Sequence, residues 1–351
     1  MMMFSTRSNR TQTGNISAGP RLTALAAFFG VLVASSGTAC KNESSTSLTQ
    51  TYLTPPSVFL PVGVLRQPRG IAVDGAGDVW VADTRAGKVR RLRRDGVLRD
   101  SIIGFQLPAA MGFDRSSGSL LLVDEYTLYR LQPQTGAATI IATLTNNSID
   151  TSAVFDIDAR RMIATAVNVA RLGDITAGPM GDVYVGCFGT PENFLVRVRA
   201  GLAAAVAASF LVPTNSAERG PHFVGVDAFG TVFSSFAVGG ATPVVRFFAF
   251  SPSHTDLSRV LTEPAVTGAA RGSTIDVSGN LYVTDPATQE LVIVSTIAER
   301  TIARYVIPDV GGYSMIPHDV AVSEDGRVYV VVSDRLGTEA GAILVYRTTK
   351  R

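Results

Sequence analysis

Cysteine is nearly absent, with two residues in 351, Cys40 and Cys187. That excludes a disulfide-stapled miniature scaffold and a multi-cysteine zinc module. Charge is sparse as well, at 17% of residues, and 31 basic against 29 acidic side chains leave a formal +2. Overall charge therefore carries no nucleic-acid signature. Histidine occurs only three times, so a site built on imidazole has few members to draw on. Against these scarcities stand 46% hydrophobic residues, 33 Gly and 17 Pro. The apolar share can fill a core, which argues against wholesale disorder, and the turn residues fit one large β-rich unit.

The first 39 residues read as a secretory signal peptide. Arg7, Arg10 and Arg21 precede the apolar run Leu22–Ala34, with no acid among them. This run is too short for a membrane-spanning helix, which needs roughly 20 apolar residues. It ends at Ser35-Ser-Gly-Thr-Ala-Cys40, where small residues before a cysteine place the cleavage. The segment resembles a bacterial lipoprotein signal, which implies that Cys40 becomes the lipidated first residue. Gly37 departs from the large aliphatic residue usual three before that cysteine, and ordinary cleavage after Ala39 is the alternative. Either way the protein is expected to be exported, to the periplasm or an outer surface, held to the membrane if Cys40 is acylated. A Cys40 to Cys187 disulfide is open only to the unlipidated chain. Residues 40–56 are polar at their start and rich in Ser and Thr, which predicts a tether.

Residues 57–351 contain one unit repeated six times. Its mark is a turn glycine followed by an apolar strand, as in Gly77-Asp-Val-Trp-Val-Ala-Asp83, Gly181-Asp-Val-Tyr-Val-Gly-Cys187 and Gly279-Asn-Leu-Tyr-Val-Thr-Asp285. The six glycines, 77, 118, 181, 230, 279 and 326, are 41, 63, 49, 49 and 47 residues apart. A period near 50 with several short strands per unit predicts an all-β, six-bladed β-propeller of four-stranded blades. The sixth unit runs out of chain after its third strand, and an orphan strand, Ser57–Val62, stands before the first. That N-terminal strand is expected to close the ring and remove an exposed edge. The units resemble NHL repeats, notably in Gln67-Pro-Arg-Gly-Ile-Ala-Val-Asp74 followed by Val79-Trp-Val-Ala-Asp83.

Aligning the units on their glycines compares the residues that begin each inner strand: Arg69, Ala109, Gly173, His222, Arg271 and His318. Arg69, His222, Arg271 and His318 thus form an arc of ligand-binding candidates, opposite a side of small residues. The 63-residue gap places an insertion at about 146–171, expected to project over that small side. Pro221-His222 and Pro317-His318 resemble inner-strand starts of peptidyl-hydroxyglycine lyase. That resemblance implies zinc held by histidines from alternate blades, here Ala109, His222 and His318, so one imidazole is missing and Asp319 points to the other face of its strand. No metal and no other cofactor is therefore expected, with zinc on His222 and His318 as the alternative. Asp83, Asp124 and Asp285 recur at the ends of second strands and are expected to accept N–H bonds in the following turns.

Arg85, Lys88, Arg90, Arg91, Arg93 and Arg94 are the densest charge run, read either as a solvated outer strand or as a patch that docks on anionic lipid or an acidic protein. Cutting after Ala39 removes three arginines and no acid, turning the charge to −1, and with export this argues against nucleic acid as a partner. The expected function is an extracytoplasmic, non-catalytic binding or scaffold module that recognises a protein, peptide or glycan, or docks on an envelope complex. The alternative is a metal-assisted lyase or hydrolase with its site at the channel mouth.

Overall fold

The computed structural model describes residues 52–144, 154–156, 161–163, 168–190, 194–198, 206–211, 223–238, 244–250, 257–261, 266–267 and 270–349. Within these residues the strands form six antiparallel-based sheets, I to VI in chain order. Sheet I comprises Pro68–Val73, Val79–Asp83, Lys88–Leu92 and Leu98–Ile103, and sheet II comprises Pro108–Asp114, Ser119–Asp124, Thr127–Leu131 and Ala138–Thr143. Sheet III is built on Asn168–Ala177, Val183–Thr190, Phe194–Val198 and Val206–Leu211. Sheet IV holds Val224–Val226, Val232–Val238, Val244–Phe250 and Leu257–Leu261, and sheet V holds Ser273–Ile275, Asn280–Asp285, Glu290–Ser295 and Arg300–Val306. Sheet VI runs through Met315–Val322, Arg327–Asp334 and Ala340–Thr349. The first strand of each sheet packs against the first strand of the next, and that of sheet VI against that of sheet I, which closes a ring around a central channel. This is β-propeller architecture.

Packing explains why the second strands read as unbroken apolar runs. Each sheet is covered on both faces by its neighbours, so alternation is lost and every residue of Val79–Asp83, Ser119–Asp124 and Asn280–Asp285 is buried. Apolar clusters fill the spaces between sheets I and II, II and III, IV and V, V and VI, and VI and I. Trp80 is fully buried between sheets I and II, where its indole N–H donates to Asp74 Oδ2 at 2.9 Å and Arg91 lies 5.0 Å over its ring. Burying one such side chain stabilises the fold by roughly 2–3 kcal/mol. The outer strands face solvent, and Leu98–Ile103 is exposed nearly throughout.

Two sheets depart from the expected four strands. In sheet VI, Ser57–Arg66 pairs antiparallel with Ala340–Thr349, as the orphan strand was expected to do, and Tyr52–Leu53 adds a further short pairing with Thr348 and Thr349. Strand pairing is thus present ahead of residue 57, where Leu53 is buried and its N–H donates to the Tyr305 hydroxyl at 2.7 Å. In sheet III, the predicted insertion supplies two extra strands. Val154–Asp156 pairs parallel with Val206–Leu211, and Arg161–Ile163 pairs with Val154–Asp156 outside it. These parts of the insertion extend the outer edge of sheet III, so they do not project over the channel mouth as expected. A free outer edge offers unpaired backbone groups, and that is what the added strands satisfy.

The acids that end second strands also differ from expectation. Asp83 accepts from the Arg66 N–H at 2.6 Å, Asp124 from the Leu107 N–H at 2.6 Å, and Asp285 from the Thr267 N–H at 2.6 Å. Each holds the segment arriving from the preceding sheet, and only Asp285 among them also takes up an N–H of its following turn, from Ala287. These carboxylates fix where the next inner strand starts, and so position the channel mouth.

The ring closes tightly at Gly272. A Cβ there would stand 2.7 Å from the His318 carbonyl oxygen and would overlap Asp319. Gly272→Ala is expected to lower stability by about 1–3 kcal/mol through overpacking, seen as a lower urea midpoint at unchanged m-value.

Candidate functional site

At the channel mouth the inner strands break their pairing with the second strands. Register shifts lie between Pro68 and Gly70, Pro108 and Met111, Leu172 and Ile175, and Pro317 and Asp319. Arg69 and His318 are the unpaired residues of two of these bulges. A bulge re-aims side chains that strict alternation would send to opposite faces. This is why His318 and Asp319, although neighbours in a strand, both line the same pocket. The sequence expectation that Asp319 points away is corrected on that ground.

The pocket has a volume of about 110 Å³, and among its lining residues are Arg69, Arg171, Arg271, His318, Asp174 and Asp319. Three of the four ligand-binding candidates, Arg69, Arg271 and His318, are thus brought together, while His222 lies outside the described residues. The small side is present too, since Ala109 and Gly173 line the same cavity. Arg171 was not expected here. It stands at the end of the insertion, two residues before Gly173, and its guanidinium rests 3.9 Å over the Phe188 ring. The lone basic residue in Val169-Ala-Arg-Leu-Gly173 was a usable signal, but alignment on turn glycines passed over it.

His318 is buried and held at both ring nitrogens. Nε2 lies 2.6 Å from Ser333 Oγ, and Nδ1 faces Arg271 Nη1 at 3.5 Å. A guanidinium can only donate, so Nδ1 is the acceptor and Nε2 carries the proton that goes to Ser333. Burial, then the charges of Arg271 and Arg69, push the imidazole pKa down to about 3. It is neutral at physiological pH. The same crowding lowers Arg271 and Arg171 from their ordinary values, through burial first and then through neighbouring guanidiniums.

The floor is made of two buried aspartates that sequence reading did not assign to the site. Asp174 accepts from Ile175 N at 2.9 Å, from Val224 N at 3.1 Å, and from both the N–H and the hydroxyl of Ser273 at 3.1 and 3.2 Å. Asp319 accepts from Ile71 N at 2.9 Å and Val320 N at 2.8 Å, and from the Met111 backbone. Asp174 of sheet III therefore ties in sheets IV and V, and Asp319 of sheet VI ties in sheets I and II. Burial raises the Asp174 pKa to about 7 despite these hydrogen bonds. Asp319 is raised well above the usual carboxylate range by burial and by the proximity of Asp174.

The other candidates fall elsewhere. Arg90 pairs with Asp83 at 2.6 Å, Arg91 with Asp78 at 2.7 Å, Arg93 with Asp95 at 2.8 Å, and Arg94 with Asp325. Four of the six charges in the Arg85 to Arg94 run are therefore directed at the protein's own carboxylates, while Lys88, in the third strand of sheet I, and Arg85, in the turn before it, have no ion pair among the described residues. Cys187 is a fully buried thiol in the core between sheets II and III, and burial pushes its pKa up. Cys40 lies outside the described residues. A zinc site does not fit the described donor set: Ala109 has no ligand atom, both nitrogens of His318 are engaged, and three cations surround it. Among the described residues no group of three or more His, Cys, Asp or Glu could hold a metal ion.

The NHL repeat family matches the chain at residues 65–92. No curated protein matches it. Among solved structures, a gluconolactonase from Xanthomonas campestris superposes with a TM-score of 0.58 at 8% identity, over 87% of this chain and 93% of its own. Regucalcin from Agrobacterium tumefaciens, a calcium-binding protein, gives 0.55 at 15% identity over 85% and 96%. A streptogramin B lyase gives 0.54 at 13% identity over 85% and 98%. The chain is a β-propeller with an NHL repeat. At such identities the likeness establishes fold alone, and function rests on the site.

The raised carboxyls have a consequence for stability. An unfolded aspartate titrates near 3.8, so between about pH 4 and 7 Asp174 binds more protons in the folded state than in the unfolded chain, the reverse of His318, whose folded pKa is lowered. The stabilisation from this excess is complete below the unfolded value and is lost as pH rises through the folded one. Asp174→Asn is expected to flatten the fall in stability between pH 4.5 and 7.5, measured as urea midpoints across that range. An unaltered slope would show that the aspartate is ionised throughout.

Proposed function

We propose that this six-bladed propeller is an enzyme of the hydrolase type, acting at the channel-mouth pocket on a small, negatively charged ester or lactone. The observation that carries this reading is the convergence of Arg69, Arg271 and His318, joined by Arg171, on one small cavity. A purely non-catalytic scaffold would have no use for a buried neutral imidazole facing clustered guanidiniums. The catalytic identity of fold neighbours, a gluconolactonase and a lyase, supports the same direction.

The geometry supplies two elements of acyl transfer. The guanidiniums create a positive field in a partly desolvated pocket, where it favours the negative charge that develops on a carbonyl oxygen under attack. His318, its Nε2 proton held by Ser333, presents Nδ1 as the acceptor that takes a proton from attacking water once the substrate's negative charge draws Arg271 away from it. Its basicity is depressed by burial first and then by Arg271 and Arg69. Negative charge arriving at the arginines offsets their share of that depression, so proton uptake becomes easier as the tetrahedral oxyanion forms. No step needs a metal held by these residues. The same proposal keeps the chain exported and anchored through Cys40, for which Cys40→Ser is expected to release it from the membrane fraction.

The test is hydrolysis of small lactones and aryl esters that carry a free carboxylate, followed by proton release. His318→Gln, which keeps a polar side chain, is expected to lower kcat by about 10²-fold or more. Arg271→Gln is expected to lower kcat/KM with a larger share in KM. Turnover by His318→Gln equal to the parent, or no turnover of any lactone or ester by the parent, would sink the hydrolase reading.

A further inference from the structure

We infer that Arg69, Arg171 and Arg271 form a three-armed binding site for a tetrahedral oxyanion, the phosphate or sulfate group of a small ligand. This deepens the reading of the pocket as the working site and rests on it. The three arginines come from sheets I, III and V, which are alternate members of the ring, so they approach the channel axis from three sides. Between them stand Ala109 of sheet II and His318 of sheet VI, which add no negative charge. Three oxygens of a phosphate or sulfate can each meet one guanidinium, leaving the fourth along the axis as the link to the rest of the ligand. A cavity of about 110 Å³ has room for such a group.

What marks the arrangement is three solvent-exposed guanidiniums without acids in a single pocket. Elsewhere among the described residues several arginines are given acids, as Arg90 has Asp83, Arg130 has Asp114, Arg197 has Asp182 and Arg304 has Glu290, and of those without one, Arg115, Arg300 and Arg335 are not gathered with other cations around the same cavity. Among the described residues, Arg69, Arg171 and Arg271 have no ion pair. Arg171 stacks on Phe188 and Arg271 reaches only the neutral His318. They also repel one another, for Arg69 weakens the hold of both others on their protons and Arg171 weakens that of Arg271. The two floor aspartates discharge this field only in part. Their oxygens are taken by N–H groups of the inner strands and by Ser273, and burial favours their protonated forms.

Binding is measured directly, apart from turnover, by calorimetric titration of the purified full-length protein at low ionic strength with inorganic phosphate, sulfate and acetate. Phosphate and sulfate are expected to bind saturably at one site and at least tenfold more tightly than acetate, and to raise Tm. Arg69→Gln, Arg171→Gln and Arg271→Gln should each weaken phosphate by about tenfold or more. Each should leave the anion-free Tm unchanged or higher, because a repelling charge is gone, whereas loss of a structural contact would lower it. Arg93→Gln, on the outer face, should bind as the parent does. Acetate binding as tightly as phosphate, or no saturable binding, overturns the inference. Lactone hydrolysis without oxyanion binding would refute this site and leave the hydrolase standing, and oxyanion binding without hydrolysis would do the reverse.

Discussion

Two buried carboxylates settle a problem that the ring creates at its axis. Inner strands pair on one side only, and their other edge presents backbone N–H groups to a channel where no further strand can lie. Asp174 and Asp319 stand on opposite sides of that axis. Between them they accept donors from the inner strands of sheets I, II, IV and V, besides those of their own strands. A carboxylate is the one small side chain that accepts several N–H bonds at once, which is why aspartate occupies both positions. The cost is a pair of acids in low dielectric, and protonation relieves it. The floor of the pocket therefore carries less negative charge than two ordinary aspartates would, and the three arginines above it give the mouth its positive character.

The rest of the molecule disposes of charge economically. The turn and strand-end aspartates accept backbone donors, and several of them also take an arginine, as Asp83 takes Arg90 and Asp78 takes Arg91. Four of the six cations in a run that looks on paper like a basic patch are paired with the protein's own acids. The mouth gathers three cations that have no acid of their own among the described residues, Arg69 as the unpaired residue of a bulge, Arg171 beside one, and Arg271 just ahead of its strand.

Repeat structure, strand positions and ring closure were legible in the sequence because each unit carries its own turn glycine and its own buried second strand. The mouth was half legible. Aligning units found Arg69, Arg271 and His318, since equivalent positions in a ring share one axis. It missed Arg171, because the bulges at the start of the sheet III inner strand displace that residue from the position that glycine spacing assigns to it. It set Asp319 aside because a regular strand alternates and this one does not. It also left unused a signal one residue further on, where acids occur only in units three and six, diametrically opposed, beside glycines in units one and five. The extra strands of sheet III were beyond pattern reading, since a three-residue strand has no periodicity to detect.

Sheet VI is completed by the pairing of Ser57–Arg66 with Ala340–Thr349, the first long strand to leave the ribosome with the last. Loop-closure entropy makes such distant contacts slow to form. Until the final ten-residue strand arrives, the ring has no stable circumference and its opening strand has no partner. The chain therefore commits to its native state late and as a whole, because one pairing between distant segments completes the ring.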